Sequence, residues 1–219
     1  MGCSLLRKVK TYIGVSLPWY ICAPVIMFAL VFPIVFGCET YEDIGVMLDR
    51  CISFLAILTF SNVYHVELQL RTSEVYSLLP KGRKREDILK RIFVRFLFLT
   101  VIVLVCFAGY TLKGVHTYAD QDTSVVCAQA FFSIVAVMLF FGAISFWTVN
   151  LTGSMAVGVG ISIAVWMILV SALAAGLPAL INVFAYGAAK DWYIGKITAI
   201  AAAVLFFIAG TVAIDNRKK

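Results

Sequence analysis

The sequence predicts an all-α integral membrane protein, and three observations carry that prediction. Of 219 residues, 62% are hydrophobic and 14% charged, with a mean hydropathy of +0.97. Soluble domains run at about 45–50% apolar and about 25% charged, so this excess exceeds what a soluble core of this size can bury. The apolar residues fall in long continuous runs rather than alternating ones, which excludes a β-barrel. Third, Lys and Arg gather in alternate connections.

A hydrocarbon core of about 30 Å needs about 20 apolar residues in a helix. Six segments of one transmembrane domain, 1–219, meet that length: 13–36, 51–68, 92–112, 125–149, 155–178 and 194–214. The basic start, Met1 to Lys10, leads into a run too long for a signal-peptide core and without a small-residue cleavage site, so the first run reads as a retained span. "MGCSLL" has Leu6 where a myristoylation signal needs Ser or Thr. The first span holds Pro18, Pro24 and Pro33, each removing a backbone hydrogen bond and bending the helix. Ser61, Asn62 and His65 interrupt the second span at its inner end. The fifth span opens with small residues at helical spacing, Ser154, Gly158 and Ser162 on one row and Ala156, Gly160 and Ala164 on another, which let helix backbones approach closely. Between the fifth and sixth spans, "LPALINVFAYGAAKDWYIG" ends near Trp192 and Tyr193 and reads as a short interfacial helix at the outer surface.

Orientation follows from the basic flanks. With the N-terminus inside, fourteen of the 18 basic residues lie on the inner side, and only Arg50, Lys113, Lys190 and Lys196 lie outside. Glu39, Glu42, Asp43, Asp49, Asp120, Asp122 and Asp191 also fall outside. The prediction is a multi-pass cell-membrane protein with both termini cytoplasmic.

The one long cytoplasmic loop, 69–91, is the most informative stretch. Val75, Leu78 and Leu79 make an apolar stripe at i, i+3, i+4, and Thr72 or Ser73 can cap that short helix. Pro80 and Gly82 break it. A second helix begins near Arg85, with Glu86 and Asp87 in its first turn and Glu86–Lys90 and Asp87–Arg91 at i, i+4, and runs on into the third span. Anchoring on anionic lipid accounts for the charge, at about 1 kcal/mol per Lys or Arg. It does not account for the Leu-Leu-Pro corner.

Those residues carry a resemblance. Glu67, Thr72, Leu78, Leu79, Pro80, Arg83, Arg85 and Ile88, within "LLPKGRKREDILKRI" and its approach, resemble the first cytoplasmic loop of ABC-2-type transporter permeases. The specific motif covers about 25 residues, and the remainder is similar in its six-span layout only. The resemblance implies the ABC-2, or type V exporter, fold with a coupling helix between spans two and three. It implies that Glu74, Val75, Tyr76, Ser77, Leu78, Leu79, Pro80, Lys81, Gly82 and Arg83 meet a cytoplasmic ATPase, with Glu67, Thr72, Arg85 and Ile88 at the coupling junction. It also implies a homodimer in which Ser154, Gly158, Ser162, Ala156 and Gly160 stand at the seam. The small size is similar to permeases of Gram-positive peptide exporters.

This chain has no G-x-x-x-x-G-K-[ST], so ATP and Mg would be bound by a separate ATPase subunit, and the chain itself is expected to be neither an enzyme nor a cofactor protein. No H-E-x-x-H or C-x-x-C occurs, and His65 and His116 fall at opposite faces, so no protease or metal constellation forms. Glu67, at the cytoplasmic edge, is the only acid near a span; the spans otherwise read as free of buried charge, and ion or proton coupling is disfavoured. The expected function is export of amphipathic peptides. The alternative is a non-transporting membrane scaffold whose basic loop recruits a cytoplasmic partner or binds lipid. Cys38 and Cys51 flank one outer loop and are the only cysteines placed to meet.

Overall fold

A computed structural model describes residues 14, 16–64, 81–117, 122–171 and 176–216. It is all-helical, with no strand among the described residues. The helices are α1 (Trp19–Val35), α2 (Tyr41–Ser61), α3 (Lys81–Leu112), α4 (Thr123–Thr152), α5 (Met155–Val170) and α6 (Trp192–Asn216). Four of them, α2, α3, α4 and α6, are long and apolar enough to cross a membrane, while α1 and α5 are shorter apolar helices.

The second helix starts ten residues before the expected span. Thr40 and Asp43 form a reciprocal capping box: Asp43 N–H donates to Thr40 Oγ1 at 3.2 Å, and Thr40 N–H donates to the Asp43 carboxylate at 3.1 Å. This satisfies two of the free donors at a helix start, and the acids Glu42 and Asp43 favour the first turn. Asp49 and Arg50 therefore lie about 12–14 Å along a helix rather than in a loop.

The third helix begins directly after Pro80, with Gly82 inside its first turn rather than breaking it. The anticipated i, i+4 pairs both form, Lys90–Glu86 at 2.5 Å and Arg91–Asp87 at 2.9 Å. Asp122 caps α4 by accepting from Ser124 N–H at 2.9 Å, and Gly153, at φ 76°, ends α4 in the left-handed conformation that a glycine adopts without strain. Ser154 then caps α5. The segment 176–191 is a series of turns where the sequence reading has a short helix, and its Val183, Ala185 and Tyr186 are buried.

Cross-helix contacts fix directions and register. Ser133 of α4 meets Asp49 of α2, and Ser145 donates to the carbonyl of Ile57, so α2 and α4 run parallel. Phe132–Trp192, Phe140–Phe206 and Phe146–Phe207 align α4 and α6, also in parallel. Antiparallel to α4, α5 pairs Thr148 with Ser162. Towards the other side, α1 and α3 run together: Arg95 binds near Ser16, and a Cβ on Gly109 would lie 3.2 Å from Pro33. The core thus centres on α2 and α4, and their Ile44, Leu48, Ile52, Phe60, Ile134, Met138 and Phe146 are buried.

Candidate functional site

Two ionised clusters lie inside the helix bundle, one toward each end.

The first is built on Arg95 of α3, which is 1% exposed. Its Nε donates to the Ser16 carbonyl at 2.9 Å, Nη2 to that of Asn62 at 3.2 Å, and Nη1 to that of Thr59. Thr59 and Asn62 belong to the C-terminal turn of α2, where carbonyls lack intrahelical donors and the dipole is negative. One guanidinium thus closes the end of α2 and ties α1's approach and α3 to it. Beside it, Asn62 Nδ2 donates to the Tyr20 hydroxyl at 2.5 Å, and Lys84 lies 5.2 Å from the Tyr64 ring centroid. The sequence reading counts Arg95 as a flanking anchor; the structure makes it an internal bolt.

Of the residues expected at the coupling helix and its junction, Glu67, Thr72, Glu74, Val75, Tyr76, Ser77, Leu78, Leu79 and Pro80 lie outside the described residues. Lys81 opens α3, Gly82, Arg83 and Arg85 are exposed on its first turns, and Ile88 is buried. Arg95 lies fourteen residues beyond Lys81 on the same uninterrupted helix.

The second cluster is Asp49 (α2), Ser133 (α4) and Lys196 (α6), each 2% exposed or less. Lys196 Nζ lies 2.5 Å from Asp49 Oδ2, and Ser133 Oγ donates to the same oxygen at 2.8 Å. Asp49 Oδ1 is buried with no hydrogen-bond partner. This overturns the expectation that the spans hold no buried charge, and with it the reason for disfavouring proton coupling. Asp49 lies on the buried stripe of Gly45, Leu48, Ile52 and Ala56, and Lys196 sits in an otherwise apolar run; those two signals were readable.

One helical turn nearer the surface, Tyr186 covers this layer. Its ring occupies the space that a Cβ on Gly45 would fill, next to Ala130, and meets Trp192 edge-on with centroids 4.9 Å apart. Burial, with the Glu42 and Asp49 carboxylates nearby, pushes the Tyr186 hydroxyl up, so it stays protonated. Above the ring opens a cavity of about 280 Å³ whose lining includes Glu42, Gln129, Gly187, Lys190 and Trp192.

The two rows of α5 separate. Ser154, Gly158 and Ser162 turn toward α4 of the same chain: a Cβ on Gly158 would lie 2.5–2.6 Å from Val149, and Ser162 and Thr148 hydroxyls are 3.1 Å apart. Ala156 and Gly160 are exposed, with nothing within 4 Å of Gly160's missing side chain. Cys38 and Cys51 are free thiols, because Cys51 lies ten residues inside α2, about 15 Å along it. Among the described residues no group of three His, Cys, Asp or Glu could hold a metal ion. No family model, no curated protein and no solved structure matches the chain.

Proposed function

We propose that the chain is the membrane-spanning subunit of an ATP-driven ABC-2-type exporter, working as a homodimer with a separate cytoplasmic ATPase that binds ATP and Mg. It crosses the membrane six times, with both termini and loop 69–91 cytoplasmic. At 17 and 16 residues, α1 and α5 are about 24–26 Å long and sit at the short end of spanning helices. The observation that carries the reading is the Arg95 junction. From Lys81 to Arg95 the helix is continuous, a stiff arm of about 21 Å. Arg95 fastens the far end of that arm to α2 and to the approach of α1. Force applied at residues 74–83 would reach three membrane helices at once, which an anchor on lipid does not require. Amphipathic peptide is the proposed cargo class. The exposed row of Ala156 and Gly160 is the proposed dimer seam.

A photo-crosslinking residue at position 76 in native membranes tests the coupling. Recovery of a nucleotide-binding ATPase is expected, together with its loss in Leu79→Asp, since burying an unpaired carboxylate costs several kcal/mol. Adducts to lipid alone, or undiminished ATPase recovery by Leu79→Asp, would instead support the scaffold reading.

A further inference from the structure

We propose that Asp49 is an intramembrane proton-binding site, loaded through the cavity at Glu42, Gln129 and Lys190 when Tyr186 swings off it. This goes beyond ATP-driven export and does not depend on it.

A buried ion pair is a poor device for stability alone. An apolar replacement of similar volume is often neutral or better, because two charges must be stripped of water. Inside a bilayer such residues are uncommon and mark ion and proton pathways. Here the pairing is also incomplete. Oδ2 takes both Lys196 and Ser133, whereas Oδ1, equally buried, takes nothing. That leaves one oxygen able to accept a proton without first breaking the pair.

The route to Oδ1 is short. Asp49 is one turn from Gly45 on α2, Ser133 one turn from Ala130 on α4, and Lys196 one turn from Trp192 on α6. Tyr186 fills the layer that Gly45, Ala130 and Trp192 form, and the cavity begins above it. Tyr186 rides on turns, not on a helix, and its neighbour Gly187, at φ 75°, rests against Val46 and Glu42. A local shift of this turn segment exposes Asp49 without unwinding any helix.

The charged groups acting on Asp49 are few. Lys196 comes from α6 and Arg50 from α2 itself. Tyr186 comes from the turn segment, and α4 supplies only the neutral Ser133 hydroxyl. No residue of α5 is ionisable. From α1 the ionisable side chains are Tyr20 and Cys22; from α3, Cys106 and Tyr110 are the ones buried in the shared core.

The chemistry balances simply. A hydronium ion in the cavity donates its proton to Oδ1; the new O–H bond forms, the hydronium O–H breaks, and water leaves. Asp49 becomes neutral, and Lys196 keeps its proton and charge but loses its partner. A bare ammonium is not tolerated in a dry core, so water must follow the proton in. The site therefore has a dry, ion-paired state and a wet, protonated one, and α2 and α6 are tied together only in the first.

Infrared difference spectroscopy of the full chain in lipid nanodiscs, between neutral and acidic buffer, tests this. Among the chain's twelve acids, Asp49 should add its own component to the protonated-carboxyl band at acid pH, retained in Glu42→Gln and missing from the Asp49→Asn/Lys196→Met double variant, which strands no charge. Ser133→Ala keeps the ion pair and should shift the band in frequency. Tyr186→Ala should make the band rise faster after a pH jump. Identical acid bands in the native chain and the double variant, or a component indifferent to Ser133→Ala, would overturn the site. An unchanged rate in Tyr186→Ala would overturn the gate. These readouts need no ATPase, so they fail or succeed separately from the export reading.

Discussion

Adding one methyl group to α5 at two positions two residues apart should have opposite consequences. At Gly158, a Cβ would sit 2.5 Å from Val149 Cγ2 and 2.6 Å from Val149 Cα and N. The last two are backbone atoms inside α4, so no side chain can rotate away to make room. Overpacking of this kind costs about 1–3 kcal/mol. At Gly160 nothing lies within 4 Å. Both changes gain the same helix propensity, about 1 kcal/mol for Gly to Ala. The difference between Gly158→Ala and Gly160→Ala therefore isolates the packing term, about 1–3 kcal/mol, with Gly160→Ala at least as stable as the native chain. Equilibrium unfolding in mixed micelles, followed by tryptophan fluorescence, measures it. Equal midpoints, or a Gly158→Ala midpoint above that of Gly160→Ala, would refute the α4–α5 packing argument. The leucine pair extends the comparison: Gly158→Leu should damage the subunit itself, whereas Gly160→Leu should fold and fail to dimerise. Single-molecule subunit counting reads the second outcome, and a dimeric Gly160→Leu would move the seam elsewhere.

Replacing Arg95 by Met should lower unfolding stability and loosen α1 from α3. Hydrogen bonds to a charged donor contribute about 1.5–3 kcal/mol each, partly offset by the relief of its desolvation. Proteolysis near residue 16 should accelerate, and Arg95→Lys should recover only part of the loss, because an ammonium lacks the planar fork. Thr40→Ala removes half of the capping box and should cost about 0.5–2 kcal/mol, read as a lower unfolding midpoint with faster amide exchange in the first turn of α2. A cysteine at position 84 should react with an impermeant thiol reagent only from the cytoplasmic side; labelling from outside would invert the proposed topology.

How far the fold could be read depended on where each charge sits. The apolar stretches of α3, α4 and α6 are visible in composition alone, and the pairs Glu86–Lys90 and Asp87–Arg91 follow from spacing within one helix. The start of α2 was hidden because Asp43, Asp49 and Arg50 lower the local hydropathy, which averages along the chain. That average cannot register that Lys196, 147 residues away, neutralises Asp49, nor that Asp43 serves a cap. Arg95 was misjudged for the same reason: its partners are backbone carbonyls, which no side-chain pattern reveals. Segment 177–195 was expected to hold a short interfacial helix because it ends in the aromatic anchors Trp192 and Tyr193, yet Tyr186 and Val183 are buried by turns folding over α2 and α4 rather than by helical periodicity.

The parallel course of α2, α4 and α6 has an electrical consequence. Each helix start carries roughly half a positive charge, and three such starts gather at one end of the bundle, where the antiparallel α5 brings its C-terminal part to Arg50 of α2. An acid stands at every one of those starts: Asp43 in the first turn of α2, Asp122 at the cap of α4 and Asp191 directly before α6. For Asp122 the hydroxyl and backbone N–H of Ser124 hold the carboxyl below the usual carboxylate range. A carboxyl depressed in the folded state lends stability above its unfolded value, and that support is lost as the pH falls through the folded value. Acid therefore strips counter-charge from the start of α4, at the same end where Tyr186 closes the bundle.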